Sequence, residues 1–448
     1  VRRTRGVRDS FFEVTIMRNR LAVLASFALI ANSLAACSSD KSGTKSNDGG
    51  AGGSAASSGG GSNGGAAGSA QAGAGGSGVG AGGASTGGAN GADGSAPDGG
   101  PGAKFDHVFV IMMENHGTDE IIGNAADAPY INQLAGQYGV ATNYYGVTHP
   151  SLPNYLAAIS GDFQGIFDDC KAGQTVTCAP EEFVSGSGDP TSAVSLTADE
   201  VTTATAKAHW FDGQNLVDQL EAAHLTWKAY MQGLPAVGNT DEYAPVSVVD
   251  GGSVPRKLYA QKHNPFDYFS DIRNSTARMN LVVPFTGFAT DVAGDMPNFV
   301  WISPDQCHDM HGISTDNANA VGIPDCAAPA SGLDHSVIKL GDDFLKDTVQ
   351  KIMASPAWRG DSAIAIVWDE DDYSGYAGCC GSPTGQGGTV LGGARAPALV
   401  ITSKNAKHQS TDTSFNHYSL LGTIEQGFGL GCLANACGRE LMTKLFRP

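Results

Sequence analysis

Three short apolar runs, each running out into acidic residues, constrain this chain more than any other feature. His107–Met112 (HVFVIM) leads into Glu114-Asn115, Phe299–Ile302 (FVWI) into Ser303-Pro304-Asp305, and Ala363–Trp368 (AIAIVW) into Asp369-Glu370-Asp371-Asp372. Apolar, β-branched runs without polar alternation read as strands buried on both faces, which is the pattern of a parallel sheet. Helical patterns lie between them, at Tyr130–Tyr138, Gln214–Ala223 and Gly341–Met353, and a last strand at Ala398–Ile401 precedes a helix from Tyr418 to about Phe428. The expectation is an α/β fold, an α/β/α sandwich around a mostly parallel central sheet. Ligands of such sheets gather beyond the carboxyl ends of the strands, where these acids fall. A single acid there commonly caps the following helix. Three acidic ends at one sheet edge repel one another unless a cation neutralises them.

Composition sets the bounds of the folded part. Of 61 glycines in 448 residues, 25 fall in Lys41–Ala103, a stretch otherwise mostly Ala, Ser and Asn. It offers too little apolar surface to offset its ordering entropy and reads as a tether, so residues 38–103 stand apart from a catalytic-sized domain at 104–448. Those 345 residues suffice for one large α/β domain or two modest ones, with an adequate core. The whole chain carries −18, and residues 1–103 carry +2, leaving −20 on the domain. Such a surface repels nucleic acid and anionic lipid at long range, so an anionic substrate needs a local positive focus.

The N-terminal residues 1–37 read as an address. Met17-Arg18-Asn19-Arg20 is basic, Leu21–Leu34 is apolar, and Leu34-Ala35-Ala36-Cys37 resembles a bacterial lipobox. The reading is an exported protein, anchored to the cell envelope through a lipidated Cys37, with an ordinary signal peptide as the alternative. Eight cysteines remain beyond Cys37, an even number suited to four disulfides in an oxidising compartment. Proximity suggests Cys170–Cys178, Cys432–Cys437 and Cys307–Cys326. Adjacent Cys379 and Cys380 stay open, because a bridge between neighbours is strained and either could pair elsewhere. A metal-thiolate site is the competing reading, weakened by the lack of a repeated Cys-x-x-Cys.

Thr148-His149-Pro150-Ser151-Leu152-Pro153-Asn154-Tyr155 precedes a helix expected at Tyr155–Ile159, which puts the Ser151 hydroxyl near a helix N-terminus. Backbone N–H groups and the helix dipole there favour an alkoxide or a phosphate, so Ser151 is a candidate nucleophile, with a capping serine as the alternative. His263, His417 and the dense Cys307-His308-Asp309-Met310-His311 add candidate proton carriers, phosphate donors or metal ligands, although lone histidines often cap or pack.

The segments HVFVIMMENHGTDEIIGN, APYINQLAGQYG, THPSLPNYLAAISGD, TWKAYMQGLP, KHNPFDYF, CHDMHG, IVWDEDD and NHYSLLGTIEQGFGL occur in an order that resembles the bacterial metal-dependent phosphoesterase family. That family contains acid phosphatases and phospholipases C and looks like a branch of the alkaline-phosphatase superfamily. The resemblance covers essentially all of 104–448 and implies an alkaline-phosphatase-like fold. It implies a divalent metal on Glu114, Asn115, Asp369 and Glu370, with Ser151 both nucleophile and ligand. It matches His263 and His311 to histidines that contact phosphoryl oxygens, with Lys262, Asn154, Asp309 and His417 on the substrate side. Asp305 resembles a metal-ligand aspartate of more distant relatives. Gln232 stands where glutamate is expected and His308 where asparagine is familiar, and both departures bear on substrate preference.

A cation can depress the pKa of a serine hydroxyl enough to populate the alkoxide, which explains why these residue types occur together. The expectation is hydrolysis of phosphate monoesters through a phosphoserine on Ser151. A phospholipase C acting on phosphodiesters is the nearest alternative, and a non-catalytic envelope lipoprotein is the alternative of another class. An oxygen-rich ligand set suits Ca²⁺ or Mg²⁺, and superfamily precedent adds Zn²⁺.

Overall fold

The computed structural model describes residues 104–184, 194–329, 332–404 and 406–447. The leader, Cys37 and the tether lie outside the described residues. Nine strands form the central sheet, numbered here along the chain: β1 His107–Met113, β2 Gly139–Tyr145, β3 Trp227–Met231, β4 Val282–Pro284, β5 Phe299–Ser303, β6 Ser362–Trp368, β7 Arg395–Ala396, β8 Ala398–Thr402 and β9 Gln409–Asn416. Their order is β7-β2-β8-β6-β1-β5-β3-β4, with β9 also paired to β2. β1 lies between β6 and β5, parallel to both, and is in register from His107↔Ser362 to Met113↔Trp368. β8 pairs antiparallel to β6 and to β2, so the last strand expected from sequence runs against its neighbours in a mostly parallel sheet.

Alternation along the two central strands sorts their side chains into two cores. Val108, Val110 and Met112, with Ala363, Ala365 and Val367, face helices α2 (Ser151–Ser160) and α5 (His417–Phe428). Phe109, Ile111 and Met113, with Ile364, Ile366 and Trp368, face α1 (Pro129–Gln137) and α4 (His335–Ala354). Helix α3 (Leu216–Ala222) joins the first layer. Each fully buried side chain contributes about 1.5–3 kcal/mol, which is why unbroken apolar runs occupy the middle of the sheet. The result is the expected three-layer sandwich.

Two helices begin earlier than the sequence suggests, for identifiable reasons. α4 starts at His335, because Val337 and Ile338 already face the core, and Gly341 lies inside the helix. A β-carbon at Gly341 would come within 2.5 Å of Met310, so this glycine admits the loop that carries Asp309 and His311. α2 starts at Ser151 itself, after an N-cap position filled by Pro150 with no side-chain cap. An antiparallel hairpin, Tyr243–Val249 with Gly252–Ala260, feeds directly into the short 3₁₀ turn Gln261–His263.

Disulfides join Cys170 to Cys178, Cys307 to Cys326 and Cys432 to Cys437, as their spacing suggests, and Cys379 bonds its neighbour Cys380. Asp168 lies close to the sulfurs of Cys170 and Cys178, but bonding between those sulfurs removes the thiolates a metal needs. Among the described residues, no helix is long and apolar enough to cross a membrane.

Helix α5 carries an acid remote from the strand ends. Glu425 is buried, and burial pushes its carboxyl up to about 8, against partial compensation by the Leu433 backbone and Gln219. Its ordinary value is 4.5, so between that pH and about 8 the folded chain holds a proton that the unfolded chain releases. Folding stability therefore falls as pH rises through this window and levels off above it. Glu425→Gln is expected to melt like wild type at pH 4.5 and to be more stable at pH 8 by on the order of 2 kcal/mol. Thermal melts at both values check this, and equal stability at pH 8 contradicts it.

Candidate active site

Adjacency of β1 and β6 brings the first group of acids together. The Asp369 N–H donates to the Met113 carbonyl at 3.0 Å, so the chain leaves both strands at the same level, with Glu114 beside Asp369. Asn115 then turns into the left-handed region (φ 47°), a conformation asparagine tolerates better than most residues, and its N–H donates to Asp369 Oδ1 at 3.1 Å. The Glu114 N–H donates to the Asp309 carbonyl at 2.8 Å, which ties in the loop after β5.

Ser151 enters from the other side, on the first turn of α2. Its Oγ donates to Glu114 Oε2 at 2.9 Å, lies 3.5 Å from Glu370 Oε1, and accepts from Lys262 Nζ at 3.1 Å. The hydroxyl faces the acids and does not cap the helix. The N–H of Leu152, exposed by the helix start, donates instead to Asp169 Oδ1 at 2.9 Å. His263 lies between two carboxyl groups, with Nε2 3.2 Å from Glu114 Oε1 and Nδ1 3.1 Å from Asp309 Oδ2, and Tyr155 stacks on its ring at 5.3 Å. His311 donates from Nδ1 to the Gly312 carbonyl at 2.8 Å, which leaves Nε2 to accept from Lys262 Nζ at 3.3 Å.

Electrostatics single out the acids. Burial pushes Glu114 up to about 7, even though Lys262 opposes the shift. Burial and then Glu114 push Asp369 and Asp309 well above the carboxylate range, and burial and then Asp169 do the same to Glu370. His263 is driven well down by burial and then by Lys262, and His311 falls to about 3 for the same two reasons. These shifts describe neutral imidazoles beside carboxyl groups that retain protons for want of positive charge.

The donor set itself tests for a metal. Glu114 Oε1, Asn115 Oδ1 and Asp369 Oδ2 are buried with no well-directed hydrogen bond among the described residues, although His263 Nε2 approaches the first to 3.2 Å, an arrangement proteins avoid unless something else satisfies the atoms. Three orphaned oxygens, with Glu370 and the Ser151 hydroxyl alongside, make an all-oxygen set suited to a hard divalent cation. The residues present fit such an ion.

Three sequence-predicted assignments need correction. Asn154 uses its whole amide locally: Oδ1 accepts from the Val147 and Thr148 N–H groups, and Nδ2 donates to the Thr148 and Pro150 carbonyls. It shapes the turn ahead of Ser151 and has no group left for a substrate. His417 is buried, accepting from the Tyr144 hydroxyl and donating to the Asp369 carbonyl at 2.7 Å, so it supports the acid from behind. Asp305 caps its own turn, its Oδ1 accepting from the Cys307 and His308 N–H groups and contacting His308 Nδ1. The acid that the β5 end delivers to the cluster is Asp309.

Two partners went unrecognised in the sequence. His149 Nδ1 lies 2.7 Å from Glu370 Oε2, with the ring stacked on Tyr373. Asp169 Oδ2 accepts from Lys262 Nζ at 2.9 Å. His149 stands inside the motif around Ser151, a usable signal, whereas Asp169 is marked only by an acidic pair before Cys170.

Asn115, Asp169, Lys262 and His311 are the partly exposed members of the constellation, so solvent reaches it from their side. A cavity of about 280 Å³ bordered by Thr411, Thr413, Arg439 and Lys444 contains none of these groups, and the chemistry described above does not involve it.

The chain is similar to several known proteins. A probable acid phosphatase of Kluyveromyces lactis is 24% identical over 337 residues, covering 73% of this chain and 59% of that protein. A phosphatidylinositol-3-phosphatase of Mycobacterium tuberculosis is 27% identical over 328 residues, covering 73% of this chain and 78% of that protein. The chain thus spans less than two thirds of the yeast relative's length. A solved alkaline-phosphatase-superfamily protein from Vibrio parahaemolyticus superposes with a TM-score of 0.41 at 13% identity, covering 76% of this chain and 70% of that one. The Phosphoesterase family matches residues 124–431, which takes in α2, the Lys262 turn, the Asp309 loop and the end of β6. The chain belongs to the phosphoesterase family.

Proposed function

We propose that this protein hydrolyses phosphate monoesters through a phosphoserine on Ser151, with a divalent cation held by Glu114, Asn115, Asp369, Glu370 and the Ser151 hydroxyl. The observation that carries the proposal is Ser151 Oγ itself, fully buried between Glu114 Oε2 and Lys262 Nζ beside three orphaned oxygens. When bound, a divalent cation supplies charge that lowers the pKa of a serine hydroxyl and offsets the charge of a phosphoryl group.

The chain's own groups divide the remaining work. Glu114 accepts the hydrogen bond of the hydroxyl and so fixes the direction in which Oγ faces a substrate. Lys262 puts a positive charge on the solvent side of Oγ, where phosphoryl oxygens arrive, and such preorganised contacts contribute a few kcal/mol each. Attack forms the Oγ–P bond as the ester P–O bond breaks, and the hydroxyl proton of Ser151 is passed to the departing alkoxide. Water then attacks phosphorus, the Oγ–P bond breaks, one water proton returns to Oγ, and phosphate leaves with the serine restored. His311 Nε2, its tautomer fixed by Nδ1–H on Gly312, is kept neutral and so serves as a transient acceptor that relays these protons.

Four disulfides support an exported enzyme, and anchorage through a lipidated Cys37 is part of the same proposal on sequence grounds. The test is a substrate panel on protein supplied with Ca²⁺, Mg²⁺ or Zn²⁺. Turnover of p-nitrophenyl phosphate is expected to exceed that of phosphatidylcholine by at least about 100-fold in kcat/KM. Strong preference for phosphatidylcholine replaces the proposal with a phospholipase C, and no hydrolysis from acid to alkaline pH replaces it with a non-catalytic lipoprotein.

A further inference from the structure

Lysine is a flexible chain ending in a compact charge, and an ammonium group needs outside constraint to hold one position. Lys262 has several competing attractions. Its Nζ lies near Ser151 Oγ, and Glu114 and Glu370 also draw it, so nothing in its own backbone keeps it on the solvent side of the hydroxyl.

We infer that Asp169 is a positioning residue, one carboxylate that fastens the start of α2 and aims Lys262 at Ser151. The inference rests on the phosphoesterase reading above and adds to it a residue that touches no reacting atom. Asp169 Oδ1 accepts from the Leu152 N–H, one residue after the nucleophile, and Oδ2 accepts from Lys262 Nζ at 2.9 Å. The distance between ammonium and hydroxyl is thereby set through a single rigid group. Burial by itself would lower the ammonium's pKa, and Asp169 followed by Glu114 more than reverse that.

Asp169 is itself held from both sides. On its N-terminal side, Asp168 Oδ1 accepts from the Cys170 N–H at 3.0 Å and lies 2.6 Å from His209 Nε2. Beyond it, the Tyr268 hydroxyl donates to the Cys170 carbonyl, and the Ala172 N–H donates to Gln261 Oε1, the side chain just before Lys262. The Cys170–Cys178 disulfide closes the same loop. This loop is fastened at once to α2 and to the turn carrying the lysine. Without the Asp169 charge, the ammonium is drawn toward Glu114 and Glu370 and away from the position where a phosphoryl oxygen meets it.

A double-mutant cycle tests the inference on the full-length protein. Asp169→Asn keeps an oxygen for Leu152 and removes the charge, and Lys262→Met removes the ammonium. With p-nitrophenyl phosphate, Asp169→Asn is expected to lower kcat about 30-fold and Lys262→Met about 100-fold. The double variant is expected to match Lys262→Met within about threefold, because Asp169 acts only through the lysine. Asp169→Glu should recover part of the loss. Multiplicative effects, or an Asp169→Asn rate equal to wild type, overturn the inference. A crystal structure of Asp169→Asn gives a readout independent of turnover. Lys262 Nζ displaced from Ser151 Oγ supports the inference, and Nζ still within hydrogen-bond distance refutes it. Should Asp169→Asn not fold, the cycle and the structure are taken with Asp169→Ser, which also leaves an oxygen near Leu152 and carries no charge. Wild type inert toward every phosphoester defeats the functional reading alone, and the crystal structure still decides the role of Asp169.

Discussion

Ser151→Ala is expected to lower kcat on a phosphate monoester by at least about 10³-fold while the protein keeps its fold and most of its affinity for a divalent cation. The argument follows from the position of the hydroxyl. Oγ is the aliphatic hydroxyl set among the buried carboxyl groups, donating to Glu114 and accepting from Lys262. Removing it deletes the proposed attacking atom, but Glu114, Asn115, Asp369 and Glu370 remain to hold an ion. Loss of one small polar group from the start of a buried helix that it does not cap should shift the melting temperature by only a few degrees. Steady-state rates, a metal titration and a melt on the same preparation check all three statements. Acid quench of the wild-type reaction with labelled substrate should recover phosphate on Ser151, and none from the variant. A variant that still turns over at more than a tenth of the wild-type rate would falsify the assignment of the nucleophile.

The second large effect has two parts of opposite sign. Asp369→Asn preserves the shape of the side chain but removes the charge whose proton affinity burial, Glu114 and Glu370 all raise. Activity is expected to fall by about 10³-fold, because the proposed cation loses a principal ligand. In chelator-treated protein the same substitution should raise stability at neutral pH. There Asp369, burdened by burial and like charge, must either ionise among other acids or hold a proton at a cost. The gain is on the order of 1–3 kcal/mol, seen as a melting temperature several degrees above wild type in excess chelator. With saturating cation the order should reverse, since only wild type gains the binding free energy. A variant less stable than wild type under both conditions would show that Asp369 is structural rather than poised for an ion.

Much of this was legible in the residues because the informative signals are local. Unbroken apolar runs mark strands buried on two faces, and the acids that follow each run must appear at the sheet edge whatever the rest of the chain does. That is enough to bring Glu114 and Asp369 together once β1 and β6 are neighbours. What the sequence concealed depends on partners far along the chain. Lys262 meets Asp169 across 93 positions, and His417 reaches the Asp369 carbonyl across 48, with nothing in either segment to announce it. Asp305 and Asn154 misled for the converse reason, since their side chains are used up by backbone groups within a few residues, a choice of rotamer that residue type alone does not determine. The antiparallel course of β8 is likewise a matter of connection, because a buried apolar strand looks the same in either direction.

The most direct test of the account is calorimetric titration of Ca²⁺, Mg²⁺ and Zn²⁺ into chelator-treated wild type and Asp369→Asn. The account predicts saturable binding of at least one of these ions to wild type, weakened by about 100-fold or more in the variant, with the wild-type melting temperature rising as the site fills. Equal affinity in the two proteins, or no binding to wild type at concentrations that support hydrolysis, would contradict it.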